Sequence, residues 1–105
     1  MNMYRQGDVL LIEVDTASHK SPQRRDARRR VVLAYGEATG HAHAIHEPRA
    51  KLYGTDLENR FLEVLNEGGV TLSHEEHAPI HLPQGTYRVV RQREWTPKGQ
   101  RWVAD

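Results

Sequence analysis

The apolar positions of this chain come in short runs that alternate with polar ones at a period of two and are separated by turn residues, a pattern that predicts strands. Val9–Val14 in GDVLLIEV is branched and bounded by Gly7 and Asp8, and Val31–Tyr35 ends at Gly36. From Thr39 to Glu47 the alternation puts His41, His43 and Ile45 on one side of a strand and Ala42, Ala44 and His46 on the other. KLYGT and FLEVLN predict two more strands, and Gly68-Gly69 predicts a turn before VTLSH. After the turn at Pro83-Gln84-Gly85, TYRVVRQREW directs Tyr87, Val89 and Arg91 one way and Arg88, Val90 and Gln92 the other. Thr96, Pro97, Lys98 and Gly99 predict a hairpin loop joining the strand that ends at Trp95 to QRWVA. One segment carries a competing helical spacing: Leu57, Phe61, Leu62 and Leu65, with Asp56 to cap it and Gly68 to end it. Roughly seven strands with frequent turn signals make the expected fold all-β, a small antiparallel barrel or sandwich.

A length of 105 residues suits one domain with one core, taken here as residues 1–105. The stretch from Thr16 to Arg29 is charged and almost without apolar residues, so a mobile basic loop is expected at about 16–29. No apolar run approaches the roughly 18 residues that cross a bilayer, and the N-terminal segment has no secretory pattern. A cytoplasmic location and no membrane contact are the expectations. With no cysteine, disulfides, thiolate metal sites and cysteine nucleophiles are excluded. Any metal must therefore be held by nitrogen and oxygen.

Six of the seven histidines fall in two short clusters, HAHAIH with His41, His43 and His46, and HEEHAPIH with His74, His77 and His81. Imidazole is the commonest ligand for borderline transition metals. Two residues apart on a strand, His41 and His43 project about 7 Å apart along one face and can serve one ion, with Glu47 returning from the end of the strand. The second cluster would supply another arm. Against this, a single histidine on a strand or loop is more often solvated or hydrogen-bonded, and His19 lies in the expected loop. Glu75 or Glu76 is a general base if it faces the ion, and otherwise part of a solvated edge.

The order Gly36, four residues, His41-x-His43, three residues, Glu47, six residues, Gly54 resembles the first motif of the cupins, small double-stranded β-helix barrels. The resemblance runs from about Gly36 to Gln92. It implies a cupin-like barrel with His41, His43 and Glu47 as metal ligands. Pro83-Gln84-Gly85 is similar to the turn of the second cupin motif, but Arg88 stands where that motif has its histidine, and a protonated guanidinium cannot coordinate a cation. The fourth ligand is then sought in His77, with His74 and His81 as alternatives. Iron, manganese, nickel and zinc all suit such a divalent transition-metal site.

Other chemistries have less to stand on. No phosphate-binding glycine loop is present. Ser73 adjoins His74, but neighbours on a strand point to opposite faces, so a serine–histidine pair is not formed there. The rival signal is basic: Arg24, Arg25, Arg28, Arg29 and Arg30 carry enough charge to contact phosphates. The first expectation is a divalent-metal-binding β-barrel, a possible metal-dependent enzyme acting on an unidentified substrate as a homodimer. The second is a non-enzymatic module whose arginine loop contacts nucleic acid or an acidic partner, with Trp95 and Trp102 available to stack on bases or to pack as a core edge.

Overall fold

The period-two runs pair as antiparallel strands in two stacked sheets. The computed structural model describes residues 2–15, 22–36, 40–54, 60–96 and 99–102. Their strands are β1 (Met3–Gln6), β2 (Val9–Val14), β3 (Val31–Tyr35), β4 (Ala42–Ile45), β5 (Ala50–Tyr53), β6 (Arg60–Val64), β7 (Val70–Ser73), β8 (Ile80–Leu82), β9 (Gly85–Arg91), β10 (Arg93–Thr96) and β11 (Gly99–Trp102). One sheet has the order β1-β2-β9-β6-β5, the second β3-β4-β7-β8, and β10 pairs with β11 as a separate hairpin. The fold is thus all-β and antiparallel. The two sheets remain separate, with no closed barrel among the described residues. No helix among them is long and apolar enough to cross a membrane.

The chain adds one hairpin to each sheet in turn, and β9 then returns to the middle of the first sheet between β2 and β6. Leu11 opposes Val89, and Leu62 opposes both Tyr87 and Leu52. From the other layer come Val31, Leu33, Ile45, Val70, Leu72 and Leu82, and all of these side chains join one buried cluster. Burial of such alternate faces is the main force holding the layers together. Tyr87 is buried, with its ring edge-on to Tyr4 at 5.8 Å and its hydroxyl donating to the Pro83 carbonyl at 2.6 Å. Burial pushes its phenol up to about 12, so it stays a neutral donor.

Three local features complete or qualify the pattern reading. The segment with the competing helical spacing is strand β6, as the run FLEVLN predicts, because Leu62 and Val64 fill the interlayer space at strand spacing; Asp56, the proposed cap of the competing helix, lies outside the described residues. The strand β1 was not anticipated, since MYRQ has no clear alternation. It pairs with β2 across a two-residue turn in which Gly7 takes φ +58°, the conformation such tight hairpins require of their first residue. The basic segment is attached along 22–30: Pro22 bridges to Tyr53, Gln23 is bonded to Leu52 and Gly54, and Asp26 accepts the backbone N–H groups of Arg28 and Arg30. Residues 16–21 of the expected loop, with His19, and Pro97 and Lys98 of the hairpin loop lie outside the described residues.

Candidate metal centre

Strand β4 carries Ile45 into the core, so residues two and four positions back, His43 and His41, project from the same face. A bulge in β3 brings Ala34 rather than Leu33 opposite His43 and curls this end of the sheet. On the other side, β4 pairs with β7 through Ala44 with Ser73 and Ile45 with Leu72. Continued past the last ladder pair, that register sets His43 against His74, Ala42 against Glu75 and His41 against Glu76. The side chains meet accordingly. The His43 and His74 rings are 4.3 Å apart between centroids, His74 and His77 4.5 Å, His41 and His74 5.7 Å, and His43 and His77 5.8 Å.

The two clusters therefore converge through His41, His43, His74 and His77. One nitrogen each of His41 and His74 and one oxygen of Glu75 lie within 4.8 Å of one another. These three residues would hold a divalent ion through two imidazole nitrogens and one carboxylate oxygen. Glu75 Oε1 accepts the Ala42 N–H at 2.9 Å. This bond, the carboxylate's own backbone N–H, and the nearby His41 and His74 hold its carboxyl below the usual carboxylate range against the opposing effect of burial. It is an anionic donor at neutral pH. Glu76 Oε1 stands 3.5 Å from His41 Nδ1, and the Glu76 N–H is donated to His74 Nδ1 at 3.0 Å. An ion on His74 Nε2 would shift the ring proton to Nδ1 and exchange that one hydrogen bond for a coordinate bond.

His43 has a different role from its neighbours. Gln6 donates both amide hydrogens, to the carbonyls of Leu72 at 2.9 Å and Ala78 at 3.0 Å. Its amide oxygen must then face His43 Nδ1, 2.9 Å away, which makes Nδ1 the donor. His43 Nε2 lies 3.3 Å from Asp8 Oδ1, and Asp8 Oδ2 accepts from Arg91 Nε at 2.6 Å. Both ring nitrogens of this fully buried histidine thus face protein acceptors. Its ring stacks on that of His77 and packs at a tilt against that of His74, and it ties both to β1 and β9.

Other residues expected at the site stand elsewhere. Glu47 follows the far end of β4, about 13 Å of strand from His43, and its Oε2 accepts the Thr71 N–H at 2.8 Å. His46 is exposed, and so is His81, whose ring covers Gly69. Arg88 is exposed on the outer face of β9. In the basic segment, Arg25 is spent on the carbonyls of Arg29, Glu47 and Ala50, and Arg30 pairs with Asp26 at 2.8 Å. Arg24, Arg28 and Arg29 are exposed. The pattern reading missed Gln6 and Asp8. Asp8 looked like a turn residue, and only its 1% exposure marks it as interior; Arg91, read on one face with Tyr87 and Val89, was the available hint of a buried counterion.

No curated protein and no solved structure matches this chain. The model of one family matches residues 5–92, which include every residue of the centre just described, and the chain belongs to that family, a domain of unknown function (DUF8820).

Proposed function

We propose that this domain binds one divalent transition metal through His41, His74 and Glu75, with His77 beside them and His43 holding the rings in place. The observation that carries the reading is the meeting of imidazoles from two distant segments around a carboxylate, with three donor atoms within 4.8 Å. Such convergence of imidazole and carboxylate needs a reason, since clustered histidines repel one another once protonated. Two histidines and one carboxylate suit Fe(II), Mn(II), Ni(II) or Zn(II) and leave coordination positions for water or substrate. Zinc there would acidify a bound water for hydrolysis, and iron would favour dioxygen chemistry. The likeness to cupins is supported only by His41 and His43 sharing one face at the start of β4; on this reading His43 is a support rather than a ligand, and Glu75, not Glu47, supplies the carboxylate.

The test is elemental analysis of protein carrying no histidine tag, loaded with each metal in turn and then dialysed. Near-stoichiometric metal is expected in the wild type, falling at least about tenfold in His41→Ala and His74→Ala. Glu47→Gln and His81→Ala should retain it. Equal metal content in all five proteins, or none in the wild type with any of the four ions, refutes the proposal.

A further inference from the structure

Arg60 opens β6 on the inward face shared by Leu62 and Val64, and its partner across the ladder is the buried Val89. The guanidinium is therefore directed between the layers, where the residue is only 5% exposed. Its Nε and Nη2 are buried and meet no hydrogen-bond acceptor among the described residues. An arginine cannot escape such a position by losing its proton under ordinary conditions, and an ion stripped of water without a counterion is among the costliest arrangements in a folded protein.

The charge of Arg91 makes matters worse. Arg91 projects from the same face of β9, two positions beyond Val89, with Nε committed to Asp8 and Nη2 to the Tyr35 carbonyl at 3.0 Å. Burial and the positive charge of Arg91 both push Arg60 down from the ordinary arginine value. Charge on the ligand side would reverse both penalties.

We infer that Arg60 anchors an oxyanion site at this end of the interlayer space, taking the carboxylate or phosphate group of a small molecule. The geometry of the donor selects that chemistry. The Nε and Nη2 edge of a guanidinium presents two parallel N–H groups, which match two oxygens of a carboxylate or phosphate and leave a halide only one-sided contact. Arg91 stays paired with Asp8 and the Tyr35 carbonyl, so the anion's two bonds come from Arg60. The inference stands on Arg60 and does not depend on a metal at the histidine cluster.

Thermal denaturation of the full chain, dialysed against chelator so that no metal captures the anion, tests it in chloride, acetate and inorganic phosphate at equal ionic strength. Phosphate, acetate or both should raise the wild-type midpoint by several degrees over chloride. A response to phosphate alone identifies a phosphoryl ligand, and a response to acetate alone a carboxylate. Arg60→Met should match or exceed the wild type in chloride and lose the anion response, whereas Arg60→Lys, which keeps the charge without the fork, should retain a weaker one. Equal anion shifts in the wild type and Arg60→Met overturn the inference. So does the lack of any shift, or an Arg60→Met variant much less stable in chloride, since that would reveal an internal partner for the guanidinium.

Discussion

Asp8 is one of the smallest residues in the interior and one of the most consequential. It sits at the tip of a hairpin, where an aspartate is ordinarily solvated, yet its carboxylate is buried between Arg91 and His43. A buried carboxylate is tolerable only because both partners face it, and the arrangement is asymmetric: removing one member leaves the others without compensation. Asp8→Ala should lower the unfolding free energy in urea by about 3–5 kcal/mol, a large share of what a domain of this size possesses. Asp8→Asn, which preserves shape and one acceptor, should lose less. A loss under about 1 kcal/mol for Asp8→Ala would mean that the Arg91 pairing contributes no more than a surface ion pair does.

At the scale of elements, the register of β4 against β7 is what makes the centre, because it brings Ala42 and Glu75, 33 residues apart, into hydrogen-bond contact. That register depends in turn on how β7 begins. The turn before it is closed by the Gly69 N–H on the Asn66 carbonyl at 2.9 Å and the Asn66 side chain on the Gly69 carbonyl at 2.8 Å. Gly69 has φ +78°, and a methyl group added there would stand 2.5 Å from the Leu82 carbonyl oxygen, a backbone atom of β8 that cannot swing away. Gly69→Ala is expected to cost at least about 2 kcal/mol in equilibrium unfolding and to weaken metal retention with it. Gly68→Ala meets nothing within 4 Å and should stay within about 0.5 kcal/mol of the wild type. Similar losses for the two glycines would remove the turn from the account.

Across the whole molecule, two sheets share one core, so neither layer has an apolar face of its own to retain if the other leaves. Leu62 of the first sheet and Leu72 of the second are both fully buried in that cluster. Leu62→Ala and Leu72→Ala should each destabilise by about 2–5 kcal/mol while fluorescence and circular dichroism continue to report a single coincident transition. Separate transitions for the two probes would show that the sheets unfold independently. The polar end of the sandwich, with Gln6, Asp8, His43, Arg60 and Arg91, depends on the same closure, since β1, β4, β6 and β9 each supply part of it.

What could be read from the chain follows from the two-residue period. Most strand positions, the inward faces of β4 and β9 and the turn at Gly68-Gly69 depend on local backbone geometry, and the histidine clusters announced nitrogen-donor chemistry by residue type alone. Local spacing also suggested Glu47 as a partner for His43, because the distance along the chain is short. The fold carries Glu47 to the opposite end of β4 and brings Glu75 in its place, since antiparallel pairing joins residues by the sum of their positions rather than by their difference. Asp8, Gln6 and Arg60 were illegible for the same reason. A polar residue near a turn is assumed to face water, and only the packing of one sheet on the other decides which such residues lose it.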